Sequence, residues 1–287
     1  MSSDNNNSGV TFETLEISRP EPNSRVFHVT LNRPSTHNSL TPLFFTELSA
    51  AVSSLDADPR CHVIVLASSL SSPFFSSGLH LPSLSSMLTS SSSSPPSPAH
   101  ASHRLLLSIR SLQDSVSSLE RCSKPVLAAV HGGCIGGGVD LITACDVRFC
   151  TREAYFSVKE VDVAITADLG TLQRLPTIVG YGNAFEMAIT GRRVGAEEAK
   201  AMGLVSRVFD SREELIQSVN KIAEEIASKS PLAVTGTKAV LVKSRDTSVD
   251  QGLDYVATWN AGMLMSSDLK EAVDAHLKKR KPVFAKL

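Results

Sequence analysis

The sequence predicts an α/β fold in which strands and helices alternate at first and helices alone follow. Three observations carry this. Short β-branched runs such as 62–68 (HVIVLAS) and 125–132 (PVLAAVHG) are separated by stretches with helical spacing. A glycine-dense run, 131–140 (HGGCIGGGVD), stands where a strand gives way to a helix. Beyond Arg212 the pattern is helical throughout. Strand, helix and strand in succession favour sheets layered with helices.

Taken in order, residues 1–10 are polar and expected to be disordered. Residues 25–32 (RVFHVTLN) read as a strand. Residues 41–58 read as a helix, with Thr41 as N-cap and Pro42 in the first helical position. The runs 62–68 and 125–132 are buried strands, and 146–151 (DVRFCT) alternates as another. Residues 82–103 are rich in Ser and Pro and predict a mobile loop, with a helix resuming near Arg104 and running to Cys122. Helices are expected over 212–229, 231–245, 248–266 and 268–281. These elements suggest a core over 11–210 and a helical C-terminal region over 211–284.

Composition narrows the function. With 287 residues, 42% of them hydrophobic, the chain can bury one large core. A net charge of −1 gives no global field to attract nucleic acid. The basic cluster 278–281 (KKRK) reads as a solvated helix end. Five cysteines, Cys61, Cys122, Cys134, Cys145 and Cys150, form no CxxC pair and are expected to be reduced core residues. No apolar run reaches membrane-spanning length, and no charged-then-apolar leader is expected at the start. The C-terminal Ala285-Lys286-Leu287 resembles a Ser-Lys-Leu peroxisomal address, readable by an import receptor.

Glycine costs conformational entropy, so five in ten residues need a reason. A phosphate loop would continue with Lys-Ser/Thr, whereas Val139-Asp140 follows; G-x-G-x-x-G and G-x-S-x-G are also missing. The eight histidines show no ligand spacing, and no metal is expected. What remains is a strand, a glycine turn and a helix starting near Gly137, where bare N–H groups sit at the positive end of a dipole. A tight turn for close packing would explain the glycines equally well. A second segment, 71–81 (SSPFFSSGLHL), follows the strand 62–68 and places Gly78 before the N–H of Leu79. Two such turns can offer two N–H groups to one oxyanion.

Three carboxylates lie among apolar neighbours: Asp140, Glu160 and Asp168. Apolar surroundings disfavour the charge and suit a carboxyl to proton transfer near neutral pH. Each could instead be a cap or an ion-pair partner, and Asp168 could cap a helix starting near Leu169. Asp162 reads as solvated and Asp146 as structural.

The pairing of FFSSGLHL with HGGCIGGGVDLITACDVRF resembles the enoyl-CoA hydratase/isomerase (crotonase) superfamily, and the resemblance covers about 12–287 except the Ser-rich stretch. FSVKEVDVAITADLGTLQRLP (156–176) and the helical segments PLAVTGTKAVL and GLDYVATWNAGML bring it close to the dienoyl-CoA isomerases. The resemblance implies a crotonase-like spiral of ββα units, a helical C-terminal trimerisation region and homo-oligomers that are trimers or dimers of trimers. It implies a fatty acyl-CoA substrate and no separate cofactor. It places a thioester oxygen between the N–H groups of Leu79 and Gly137, with Ser77, Gly78, Leu79, His80 and Leu81 along the CoA site. His80 departs from the usual Asp, and is expected to be a solvated loop histidine. The isomerase pattern adds Asp168 to the carboxylates shared with hydratases, Asp140 and Glu160. It implies Glu160 acting at carbon 2, Asp168 at carbon 6 and Asp140 tuning its neighbours. The rivals are a 2-enoyl-CoA hydratase, a simple delta(3)-delta(2) isomerase, and a non-catalytic CoA-binding or scaffold protein.

Overall fold

The computed structural model describes residues 11–83 and 97–285. The expected disorder of 1–10 and most of the expected mobile loop therefore lie outside the described residues. Among the described residues, two sheets form the frame. The larger has six strands in the order β1 (Leu15–Ser18), β2 (Val26–Leu31), β3 (Val63–Ser68), β5 (Val126–Val130), β7 (Val147–Thr151), β10 (Arg207–Phe209). The smaller has four: β4 (Phe74–Ser76), β6 (Gly133–Ile135), β8 (Tyr155–Ser157), β9 (Val194–Gly195). β1 and β2 are antiparallel, and the rest of the large sheet is parallel, with Val26 opposite Val63 and Leu127 opposite Val147.

The chain passes repeatedly from the large sheet to the small one and then into a helix. β3 and β4 lead toward α2 (Pro98–Arg121), β5 and β6 to α3 (Gly137–Thr143), and β7 and β8 to α4 (Thr171–Val179). This is a spiral of ββα units, as expected. α1 (Pro42–Ala57) precedes β3 and begins at Thr41, whose hydroxyl accepts from the Phe44 N–H, with Pro42 behind it. The main core packs Phe44, Leu48, Leu66, Phe75, Leu141 and Phe156 between the sheets and their helices.

Three corrections to the sequence reading follow. α2 begins at Pro98, six residues before Arg104, because Ser97 caps it and accepts from the His100 N–H. Residues 82–83 are helical too, so the described parts of 82–103 are largely regular structure. The helix α7 (Arg212–Ala227), assigned by sequence to the C-terminal region, packs on the large sheet. Its Leu215, Val219 and Ala223 form a second apolar cluster with Val26, Val65, Leu127 and Phe149.

Between the spiral and α7 come α5 (Tyr181–Thr190) and α6 (Ala196–Ala201). α8 (Pro231–Arg245), α9 (Val249–Met263) and α10 (Ser267–Leu277) follow. Lys238 fastens α8 to the core. Its buried ammonium donates to the carbonyls of Leu119 and Lys124 and pairs with Asp146 at 2.9 Å. Asp146 also accepts from the Val126 N–H, which makes it structural. All five cysteines are buried and unpaired. No helix among the described residues is long and apolar enough to cross a membrane.

Candidate active site

β4, β6 and β8 are adjacent parallel strands, and the chain leaves the C-terminal end of each into the site. Leu79 follows β4, Gly137 follows β6 and Glu160 follows β8, each two or three residues past the strand. The topology thus gathers three segments that are far apart in sequence.

The two N–H groups come first. Leu40 donates to the Gly78 carbonyl at 2.8 Å and accepts from the His80 N–H at 2.9 Å. In this parallel bridge the intervening Leu79 N–H must face the other way. Gly137 is the first residue of α3, so its N–H has no partner within the helix. The two turns touch. A Cβ on Gly78 would lie 3.5 Å from the Gly137 nitrogen and 2.9 Å from the Ile135 carbonyl oxygen. With φ at 87°, Gly78 also holds a conformation that side chains resist. The glycines therefore serve close approach.

The carboxylates have distinct surroundings. Asp140, buried on α3, accepts from both the N–H and the hydroxyl of Thr171 at 2.7 Å. It thereby caps α4 from another helix. Burial raises its carboxyl to about 6 against the opposing pull of Thr171, and the charge of Asp168 adds to the rise. Glu160 opens a 3-10 turn, Glu160–Val163, beside the glycine turn; its Oε1 is 3.2 Å from where a Cβ on Gly136 would stand. Its Oε2 is buried and has no hydrogen-bond partner among the described residues. Burial, then the Asp140 charge, pushes Glu160 up to about 7, against backbone amides that favour ionisation. Asp168 is also raised, through burial.

A cavity of about 610 Å³ lies between α1, α2 and the 79–83 and 165–168 segments. Leu79, His80 and Asp168 line it, with Leu40, Phe45, Leu105, Ile109 and Leu112 as apolar wall. Its size and largely apolar lining suit a chain-like organic ligand. Ser77, Gly78, Leu81, Gly137, Asp140 and Glu160 are outside this lining. Gly137 and Glu160 adjoin it through the Gly78 turn, while Leu81 is exposed. A second cavity, of about 540 Å³ under α8, shares no wall with the first. Its charged side chains are already engaged: Arg174 and Arg245 with Glu120, Lys238 with Asp146, Lys229 with Glu225, and Arg148 with the carbonyls of Leu204 and Cys145.

The geometry decides between some of the alternatives. Asp168 does not cap a helix starting near Leu169, since α4 begins at Thr171 with Gly170 at its N-cap position. His80 is not simply solvated. It is half-buried in the cavity wall, and its Nδ1 is 2.8 Å from the Ser83 hydroxyl. Asp162 is exposed and pairs with Lys159. Sequence reasoning missed Thr171, whose partner is 31 residues away. A Thr just after Gly170 was the only hint.

The family model for enoyl-CoA hydratase/isomerase matches residues 21–286. The chain belongs to the enoyl-CoA hydratase/isomerase family. Within this family it is 57% identical, over 96% of its length and 99% of the relative's, to the peroxisomal Delta(3,5)-Delta(2,4)-dienoyl-CoA isomerase of Arabidopsis thaliana. The mitochondrial isomerase of the same name from Homo sapiens is 42% identical over 92% of this chain and 79% of its own. Among solved structures, an enoyl-CoA hydratase from Bacillus anthracis superposes with a TM-score of 0.84 at 27% identity, covering 95% of this chain and 99% of that one. The crotonase-like fold expected from the sequence is thereby established.

Proposed function

We propose that this chain converts 3,5-dienoyl-CoA to 2,4-dienoyl-CoA in the oxidation of unsaturated fatty acids. The observation that carries this reading is Asp168, a third carboxylate on the wall of the cavity that Leu79 borders. The isomerase name borne by relatives at 57% and 42% identity supports it.

Moving two double bonds takes a proton from carbon 2 and returns one to carbon 6. Glu160, as carboxylate, accepts the carbon 2 proton. The electron pair of that C–H bond becomes a dienolate with its charge on the thioester oxygen. The N–H groups of Leu79 and Gly137 stabilise that oxygen, by about 3 kcal/mol per donor in comparable sites. Asp168, protonated, then delivers its proton to carbon 6 as the carbonyl re-forms, and solvent exchange resets both carboxyls. Substrate filling the cavity displaces water from Asp168 and raises its carboxyl further, which the acid role needs. Asp140 holds α4 in place and adds to the potential that keeps Glu160 basic. The CoA portion runs along Ser77–Leu81, with coenzyme A part of the substrate and no other cofactor.

Two further parts of the reading concern assembly and place. Apolar side chains on the helical tail, including Leu241, Leu253 and Leu264, are more than half exposed, which supports a trimer or a dimer of trimers. The Ala285-Lys286-Leu287 ending and the peroxisomal Arabidopsis relative support peroxisomal import through a receptor. Of these three residues only Ala285 is among the described ones.

The test is to give purified protein a 3,5-dienoyl-CoA and follow the absorbance of the conjugated 2,4-diene. A rising signal is expected. No signal, together with hydration of a 2-enoyl-CoA, would replace the isomerase by a hydratase. No reaction with either would favour a CoA-binding protein without catalysis.

A further inference from the structure

Other helices grip Asp168 by its backbone and not by its side chain. Side chains from three helices grip the chain from Asp168 to Thr171 at successive points. Gln113 of α2 donates from Nε2 to the Asp168 carbonyl at 2.6 Å. Arg174 of α4 reaches the Leu169 carbonyl from Nη1 at 3.5 Å. Asp140 of α3 accepts from Thr171. Between these points Gly170 has φ at 123°, and a Cβ on it would fall 1.9 Å from Arg174 Nη1. The guanidinium occupies the space a side chain would need.

α2 also holds Arg174. Its Ser117 hydroxyl accepts from Arg174 Nη2 at 2.8 Å, and Glu120 accepts from Nε at 3.2 Å. Gln113, Ser117 and Glu120 are spaced four and three apart, so they share one face of the helix. The same helix contributes Leu105, Ile109 and Leu112 to the cavity wall. One element therefore both shapes the cavity and mounts the loop that brings Asp168 to it.

Among the described residues, no side chain hydrogen-bonds the Asp168 carboxyl. The donor it does meet is its own backbone N–H, which favours the ionised form but is outweighed by burial, so the carboxyl stays suited to proton exchange. Something else must then fix its position, and a misplacement of about 1 Å can cost about a hundredfold in rate.

We propose that Gln113 is a positioning residue for the isomerisation. Its amide fixes the Asp168 peptide, and so the Asp168 carboxyl, at the carbon 6 end of the cavity. The Ser117–Glu120 face of α2 supports the same loop through Arg174. This rests on the isomerase reading of Asp168.

The test compares wild type with Gln113→Leu, which cannot hydrogen-bond, and Gln113→Glu, which keeps the length but loses the donor as a carboxylate. Three readouts are taken: steady-state isomerisation, exchange of the carbon 2 proton with deuterium, and backbone amide exchange across 168–171. Both variants are expected to lose about ten- to a hundredfold in kcat with little change in KM. Carbon 2 exchange should survive, and amide exchange at 168–171 should accelerate. Gln113→Glu keeps the proposal testable if Gln113→Leu does not fold. Wild-type kcat in a folded variant would overturn the Gln113 proposal alone. So would an equal loss of carbon 2 exchange and isomerisation, which marks general damage. A wild-type protein that forms no 2,4-diene would overturn the isomerase reading, and the proposal with it.

Discussion

Replacing Glu160 by Gln should make the protein less active and, above neutral pH, relatively more stable. The carboxyl is buried, its Oε2 has no partner among the described residues, and it titrates near 7 against an ordinary value of 4.5. Because the folded value is the higher one, the folded chain holds this proton more tightly than the unfolded chain. Ionising Glu160 therefore destabilises the fold. The penalty is absent well below pH 4.5, grows as pH rises through the window from 4.5 to 7, and is complete above 7. Integrating that shift gives a difference of about 2.5 kcal/mol between pH 5 and pH 8. A glutamine cannot ionise, so the variant lacks this term. Whatever its amide gains or loses in the pocket is the same at both pH values and cancels in the comparison. Urea unfolding of wild type and Glu160→Gln at pH 5 and pH 8 should show the variant gaining about 2–3 kcal/mol relative to wild type on going to pH 8. Its isomerisation rate should fall by about a hundredfold or more. Parallel stability profiles for the two proteins would refute the buried-carboxylate argument, whatever happened to the rate.

Four more outcomes are expected. Asp168→Asn should fold normally and lose about a hundredfold in isomerisation while still exchanging the carbon 2 proton; loss of exchange as well would reverse the roles given to Asp168 and Glu160. Thr171→Val removes the hydroxyl that Asp140 accepts from and should cost about 1 kcal/mol in thermal unfolding experiments; an unchanged melting temperature would mean Asp140 does not brace α4 through that hydroxyl. Light scattering should give a mass that is a multiple of three chains, and a monodisperse monomer at micromolar concentration would exclude the trimer. A tagged chain lacking residues 285–287, expressed where no full-length copy can carry it in, should stay in the cytosol; peroxisomal fluorescence would deny the tripeptide its role.

The elements written most plainly in the sequence were those with local signatures. Thr41 followed by Pro42 marked the start of α1, and the β-branched runs of β3 and β5 were placed to within a residue or two at each end. The start of α2 has the same kind of signature, Ser97 then Pro98, but a run of serines and prolines masked it. The three carboxylates stood out because their neighbours are apolar. Their division of labour did not. Asp140 caps a helix 31 residues downstream, and Gln113 bonds a carbonyl 55 residues away. Neither pairing leaves a local pattern, because the fold alone creates the contact. The glycine turns were legible as places of close approach, but only the neighbouring strands of the small sheet show that they approach each other.

That small sheet acts as a ruler. Adjacent strands in any sheet stand about 4.8 Å apart, a distance set by peptide hydrogen bonds and indifferent to side chains. Since β4, β6 and β8 are neighbours, the groups that follow them inherit graduations fixed by the backbone. Loops between one strand and the next can lengthen or change composition without moving the marks. A chain built this way can renew the walls of its cavity freely while its N–H groups and carboxyls keep their spacing.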